Sequence, residues 1–151
     1  GELVTALRIP ARTRTWRAQY RKVGRVMKDL AQVNCAAALA VEAGRVREAR
    51  VVLGAVHPVV VRVRDAEALL EGAAPGSPAW PAAVQDAVAA ARRFVQPISD
   101  VRASREWRRH VCGVLVARCL HGAADPRGAG RPPRLEDGPS YCAGLGREVH
   151  P

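Results

Sequence analysis

The stretch AQVNCAAALAVEAGRVREARVVLGAV, residues 31–56, decides which fold this chain adopts. Its first half is rich in alanine, which favours a helix. Its second half alternates β-branched and charged residues, as a strand with one buried face does. Because the two halves flank EAGR at 42–45, a tight turn signal, we interpret both halves as strands. They predict a hairpin that reverses at Ala43 and Gly44.

Segments on either side extend the hairpin into a small sheet. Residues 16–22 predict a strand before it, and residues 2–9 alternate well enough for another strand that Pro10 ends. Within the hairpin, Gly54 predicts a bulge or a close approach of the backbone. Asn34 needs a hydrogen-bond partner if it is buried.

Helical patterns dominate the second half of the chain. A short helix is predicted at 65–70 and an amphipathic helix at 81–96. A last helix lies within PISDVRASREWRRHVCGVLVARCL, residues 97–120, and ends near His121. Strands followed by helices indicate an α+β fold, with an antiparallel sheet of three to four strands and about three helices packed on one face. Residues 122–151 are dominated by Gly and Pro and predict a disordered C-terminal tail.

The start of the last helix is crowded with arginines. They are Arg102, Arg105, Arg108 and Arg109. Cations at a helix N-terminus oppose the helix dipole, so these side chains need acidic partners. We predict that Asp100 caps this helix and pairs with one arginine, either Arg102 or Arg109. Trp107 is expected to anchor the helix on the sheet.

The composition indicates one basic domain. The 151 residues suffice for a single domain with a sizeable core. The net charge of +10 fits three kinds of partner: nucleic acid, an acidic membrane surface or an acidic protein. Abundant Arg, Ala, Gly and Val also indicate a GC-rich bacterial genome. A signal-peptide pattern and a run of ~20 apolar residues are both missing from the sequence, so we expect a cytoplasmic protein without a membrane span.

The cysteines and histidines do not follow a known metal or catalytic pattern. Cys35, Cys112, Cys119 and Cys142 lack the spacing of zinc sites, and Cys112 and Cys119 are predicted to lie buried on one helix face. The motifs of serine hydrolases, zinc proteases, P-loops and dinucleotide-binding folds do not occur. We therefore assign no catalytic residue and no metal site, and we do not expect the chain to be catalytic alone.

Three segments occur in an order that resembles a known family. They are YRKVGRVMKDLAQVNCAAALAV at 20–41, GRVREARVVLGAVHPVVVRVRDAEALLEG at 44–72, and the segment 97–120 quoted above. Together they resemble the C-terminal domain of the FAD-carrying medium subunit of molybdenum hydroxylases, the family of carbon monoxide dehydrogenase, xanthine dehydrogenase and aldehyde oxidase. The resemblance implies a domain at 11–121, preceded at 1–10 by an exit strand from an FAD-binding domain that this chain lacks.

The resemblance also implies a role in electron transfer. In this family, electrons pass from a molybdenum cofactor through 2Fe-2S clusters to FAD, and then to an acceptor. The implied partners are a molybdopterin large subunit, an iron–sulfur small subunit and the FAD-binding domain, which holds most of the flavin. The site residues implied by the resemblance are Arg21 and Lys22 near the flavin ring, with Arg25 and Asp29 behind them. A cation there would stabilise a reduced, anionic flavin.

Other interpretations stay open at this point. Each of the four implied site residues could belong to a solvated basic loop. The chain as a whole could be a basic module that binds nucleic acid or an acidic partner without a redox role. Because Trp107 and Phe94 fall at apolar helix positions rather than on a stacking surface, we expect no nucleic-acid partner. A fragment that merely folds is a third interpretation. If the family role is right, the largest apolar surface patch should face the FAD-binding domain.

Overall fold

The structure is a computed structural model and describes residues 2–8, 16–26 and 28–125. Four strands form one antiparallel sheet in the order β1-β2-β3-β4. They are β1 (Trp16–Val23), β2 (Val33–Glu42), β3 (Arg45–Gly54) and β4 (Val61–Arg62). Three helices follow, α1 (Arg64–Ala68), α2 (Trp80–Phe94) and α3 (Arg105–Ala124). The predicted α+β class, with an antiparallel sheet followed by three helices, is confirmed.

The alanine-rich stretch forms a strand because tertiary packing overrides helix propensity. Alternate side chains of β2 enter the core, and Val33, Cys35 and Leu39 are fully buried. The predicted turn is confirmed, since Glu42 pairs with Arg45 across it. Ala43 and Gly44 have φ angles of 49° and 76°, the left-handed pair that a two-residue hairpin turn requires.

The core lies between the sheet and the helices. Helix α3 packs across β1 and β2, α2 packs on α3, and α1 contacts β3. The buried side chains are almost all aliphatic, joined by Trp80 from the start of α2. The predicted apolar face of α2 is confirmed, because Val84, Val88 and Ala91 are all buried. Trp107 packs half-buried against the same core, as predicted for a helix anchor.

The structure corrects several sequence-based boundaries. Residues 2–8 form no strand, although a strand was predicted there, because they do not pair with either edge of the sheet. The bulge lies between Ala40 and Val41 rather than at Gly54. The close approach predicted for Gly54 is confirmed, since a Cβ there would lie 2.6 Å from the side-chain oxygen of Asn34.

The helices also differ slightly from their predicted ranges. Helix α1 starts one residue earlier than predicted, at Arg64, and α2 covers Trp80–Phe94 rather than 81–96. Helix α3 continues to Ala124, beyond the expected end near His121, because Leu120 and Ala123 still pack in the core. The predicted disordered tail falls mostly on 126–151, outside the described residues. In the described parts of the chain, every helix is too short or too polar to cross a lipid bilayer.

Candidate functional site

One end of the sheet gathers most of the connecting segments. There β1 ends beside the start of β2, with Val23 paired to Val33, and β3 ends at Gly54 opposite Asn34. Residues 24–26, 28–32, 55–60 and 95–104 all lie at this end, which we name the loop end. The opposite end, named the hairpin end, carries the turn at 43–44.

The sequence-predicted site falls within the first of these segments. The Lys22 Nζ donates to the backbone oxygen of Asp29 at 2.9 Å. The Arg25 Nε donates to Asp29 Oδ2 at 2.8 Å, and the Leu30 N–H donates to Oδ1 at 2.9 Å. The hydrogen bond from the Arg25 side chain, which has the largest effect, and that from the Leu30 N–H lower the pKa of Asp29. The structure therefore brings Lys22, Arg25 and Asp29 together.

Arg21 lies apart from these three residues. Successive side chains of a strand point to opposite faces of the sheet. In the β1–β2 register, Arg21 is opposite the buried Cys35, whereas Lys22 is opposite Asn34. Arg21 is therefore on the face covered by α3, where its charge acts on Cys119. Lys22 is on the face that no helix covers among the described residues.

The start of α3 is built differently from the prediction. Ser104 is the N-cap residue, and its Oγ accepts from the Trp107 N–H at 3.2 Å. The prediction that Asp100 caps α3 is wrong, because Ser104 stands directly before the first helical turn. Asp100 instead closes the preceding turn, since its Oδ1 accepts from the N–H groups of Arg102 and Ala103 at 2.9 and 3.1 Å.

Asp100 pairs with two arginines. Arg102 is the predicted partner, and its Nη2 lies 2.7 Å from Asp100 Oδ2. The second partner is Arg108, whose Nη2 lies 2.8 Å from Oδ1, and not Arg109, which is exposed. Hydrogen bonds from the Arg102 side chain and backbone, and then from Arg108, hold the pKa of Asp100 well below its usual range.

Arg108 joins all three loop-end segments. Its side chain is buried, with only 3% exposed. Besides Asp100, its Nη1 donates to the backbone oxygen of Gln32 at 2.6 Å and to that of Ala55 at 3.1 Å. The Gln32 side chain in turn donates to the backbone oxygen of Arg102 at 2.6 Å. A single buried cation therefore fixes segments that are distant in sequence.

Sequence reasoning did not single out Arg108, although a signal was present. Arg108 stands three and seven positions before Val111 and Leu115, both buried, so it belongs to the inward face of α3. A charge on an inward helix face requires a buried partner. This pattern is the signal for a buried ion pair, but it does not identify the carbonyl groups that Arg108 binds.

The two charged groups of the loop end are electrostatically connected. Arg102, which pairs with Asp100, also contributes to lowering the pKa of Asp29. The Arg25–Asp29 pair and the cluster of Asp100, Arg102 and Arg108 are therefore close enough to act on each other. Both carboxylates of this surface are held by arginines.

Exposed apolar side chains surround these charges. The large exposed hydrophobic residues of the loop end are Val26, Leu30, Val59, Val60, Ile98 and Val101, and Phe94 at the end of α2 adjoins them. Val101 is fully exposed, and Phe94 stacks on His57 with ring centroids 6.1 Å apart. Elsewhere among the described residues, the exposed large hydrophobic residues are Tyr20 and Leu69 and, in the segment 2–8, Leu3, Val4 and Leu7. Such a concentration is typical of a surface that another part of a protein covers.

Comparison with models of known protein families identifies the family of this chain. The family model described as the CO dehydrogenase flavoprotein C-terminal domain matches residues 18–123. The chain belongs to this family. The matched residues begin within β1 and end within α3. The family match therefore includes the whole loop end.

Individual relatives agree with the family assignment. The chain is 32% identical over 123 residues to the carbon monoxide dehydrogenase medium chain of Afipia carboxidovorans, covering 82% of this chain and 41% of that protein. It is 29% identical over 119 residues to the nicotine 6-hydroxylase medium subunit of Paenarthrobacter nicotinovorans, covering 79% of this chain and 40% of that protein. The flavoprotein domain described here thus spans about two fifths of the length of these relatives.

A solved structure shows the same fold. It is carbon monoxide dehydrogenase from Hydrogenophaga pseudoflava, in a form that lacks the Mo-pyranopterin moiety of the molybdenum cofactor. The TM-score is 0.66 at 31% sequence identity, over 72% of this chain and 37% of that chain.

Among the residues that the structure describes, no three His, Cys, Asp or Glu side chains are grouped so that they could hold a metal ion.

Proposed function

We propose that the chain is the C-terminal module of the FAD subunit of a molybdenum-containing hydroxylase or dehydrogenase. The observation that carries this proposal is the family match over residues 18–123, together with relatives that are named medium chains or medium subunits. In this proposal, FAD is bound mainly by a region that precedes the module. The molybdenum cofactor and the 2Fe-2S clusters belong to a large and a small partner subunit.

The loop end is the surface that we place beside the flavin-bearing region. Burial of its exposed apolar residues, such as Val101 and Ile98, would contribute favourable free energy to the association. Burial of a charged group is costly unless the charge is paired. At the loop end, Asp29 and Asp100 already have arginine partners within this chain, which reduces that cost.

Lys22 and Arg25 are the residues that we propose for contact with the flavin. Asp29 holds the Arg25 Nε, while 64% of the Arg25 side chain remains exposed, so its charge is fixed in place and accessible. A cation fits this role because a reduced flavin is anionic. FAD, when bound, supplies the acceptance and release of electrons. Lys22 and Arg25 would orient the flavin and stabilise its negative charge, and Asp29 would position Arg25.

Arg21 has a different place in this proposal. Because it faces α3, it would act on a flavin only from a distance, through its charge. We also propose that the assembly works in the bacterial cytoplasm. Cys35, Cys112 and Cys119 are buried free thiols, as is usual for proteins of a reducing compartment.

The test is a measurement of the flavin midpoint potential in the FAD subunit that contains this module. The double variant Lys22→Gln, Arg25→Gln removes both charges and should make the potential more negative, because the reduced anion loses its stabilising cations. The matched control is Arg47→Gln, which removes an exposed arginine from an ion pair with Glu42 at the hairpin end. This control should leave the potential unchanged.

Two outcomes would contradict the proposal. If the double variant and the Arg47→Gln control shift the potential equally, the loop end has no special relation to the flavin. If the purified subunit contains no flavin and the chain instead binds nucleic acid with a steep dependence on salt, the module is a basic binding domain.

A further inference from the structure

Two cysteines meet in the core between β2 and α3. Cys35 lies in β2 and Cys119 in α3, and both are completely buried. The Cys119 thiol donates to the backbone oxygen of Cys35 at 3.5 Å, although the two residues are 84 positions apart in sequence. Both side chains belong to the same buried core cluster, and each thiol affects the pKa of the other. The two thiols therefore lie side by side.

Arg21 completes this group. It is the cross-strand partner of Cys35 in the β1–β2 register, on the same face of the sheet. The interaction with the Cys35 thiol lowers the pKa of the Cys119 thiol against the effect of burial, and the charge and backbone N–H of Arg21 lower it further. The same contact raises the pKa of Cys35. Of the two thiols, Cys119 is the one whose pKa is lowered.

The third described cysteine provides an internal contrast. Cys112 lies earlier in α3, and burial raises the pKa of its thiol to about 12. Cys119 lies in the last turns of α3, which ends at Ala124, and it packs beside β1, an edge strand of the sheet. Helix ends and sheet edges open locally at a lower free energy than the centre of a domain. Local opening at this helix end and sheet edge would therefore expose Cys119 to a small oxidant more readily than Cys112.

We propose that Cys35 and Cys119 form a dithiol site that hydrogen peroxide converts into a disulfide between β2 and α3. In the first step, the Cys119 thiolate attacks one peroxide oxygen, so that an S–O bond forms and the O–O bond breaks. The departing hydroxide takes up a proton and leaves as water, and Cys119 becomes a sulfenic acid.

In the second step, the Cys35 sulfur attacks the sulfur of Cys119. The S–S bond forms while the S–O bond breaks, and the hydroxide that leaves takes the proton of the Cys35 thiol to give a second water. Overall, two thiols and one hydrogen peroxide give one disulfide and two water molecules. The site consists of residues of this chain alone, so it does not depend on the proposed flavin function.

The test uses the 151-residue chain itself. The reduced protein is treated with hydrogen peroxide, the remaining thiols are alkylated after unfolding, and the peptides are analysed by mass spectrometry. The expected result is a peptide pair linked through Cys35 and Cys119, with Cys112 recovered in its alkylated form. A first disulfide that involves Cys112 or Cys142, or oxidation without any Cys35–Cys119 link, would overturn the proposal.

Substitutions assign the order of the two steps. In Cys35→Ala, Cys119 should accumulate as a sulfenic acid that reacts with dimedone, whereas in Cys119→Ala, Cys35 should stay unmodified. Arg21→Met should slow disulfide formation several-fold and Arg21→Lys should restore most of the rate, because both keep a long side chain but only one keeps the charge. Equal rates in the two Arg21 variants would remove Arg21 from the site. The wild-type peptide analysis decides the proposal even if a cysteine variant fails to fold.

Discussion

The turn at the hairpin end of the sheet is closed by residues that are neighbours in sequence, whereas the three loop-end segments are joined to each other by a residue that is far from two of them. At the hairpin end, a two-residue turn joins β2 to β3, and Arg47 pairs with Glu42 only five positions away. At the loop end, Arg108 binds the backbone of Gln32 and of Ala55, which are 76 and 53 positions away. Local sequence therefore determines the turn at 43–44, whereas the arrangement of the three loop-end segments depends on the assembled fold.

Removal of Arg108 should give the largest effect. Arg108→Met leaves Asp100 with one arginine fewer and leaves two backbone oxygens, of Gln32 and Ala55, without their donor. The free energy of unfolding should fall by about 3 kcal/mol or more, as for other broken buried charge clusters. Denaturant unfolding measures this loss. The control is Arg109→Met, which changes an exposed neighbour in the same helix and should change stability little. Equal losses of stability in the two variants would mean that the loop end does not depend on Arg108.

Neutralisation of Asp100 should change how stability depends on pH. Because Arg102 and Arg108 lower its pKa in the folded state, Asp100 stabilises the fold fully above the unfolded-state pKa of about 3.9, and this contribution is lost as the pH falls further. Asp100→Asn should therefore lower the melting temperature at neutral pH. Between about pH 4 and pH 2, its melting temperature should fall less steeply than that of the wild type. Parallel curves for the two proteins would contradict this account.

The smallest effect is expected from substitutions that relieve strain in the turns. Ala43 at the hairpin end and Ala55 at the loop end both have positive φ angles, 49° and 62°. Asparagine tolerates this conformation better than alanine, so Ala43→Asn should raise the free energy of unfolding by about 0.5 kcal/mol.

A double-mutant comparison then separates the two ends. The gain from Ala43→Asn should be the same with or without Arg108, because the turn is local. The gain from Ala55→Asn should shrink in the Arg108→Met background, because Arg108 holds the backbone of Ala55 in place. If both gains in the free energy of unfolding are the same with and without Arg108, then Arg108 is not energetically coupled to the loop end, and the two ends do not differ in this respect.

The same contrast explains what could be predicted from the sequence. The hairpin, its turn residues and the apolar face of α2 follow from periodicity and turn chemistry within short windows, and the structure confirms them. The loop end was only partly predictable: the pairing of Asp100 with Arg102 is local, but the contact of Arg108 with Gln32 and Ala55 exists only after the chain has folded. Asp100 was wrongly assigned as the helix cap because several cap-type residues precede α3 and sequence alone does not rank them.

The predicted site residues show the same limit. Arg21 and Lys22 are neighbours in sequence and look like one basic pair. In the strand, however, their side chains lie on opposite faces of the sheet. Lys22 then joins Arg25 and Asp29, whereas Arg21 joins Cys35 and Cys119. The strand was predicted correctly, but which of its faces α3 would cover depends on packing between distant segments.

The most direct test of the loop-end assignment is amide hydrogen exchange, measured on the chain alone and on the FAD subunit that contains it. If the loop end packs beside the flavin-bearing region, residues 24–26, 28–32, 55–60 and 95–104 should exchange more slowly in the subunit. The turn at 43–44 should exchange equally in both. Slower exchange at the hairpin end, with unchanged exchange in the three loop-end segments, would contradict the account.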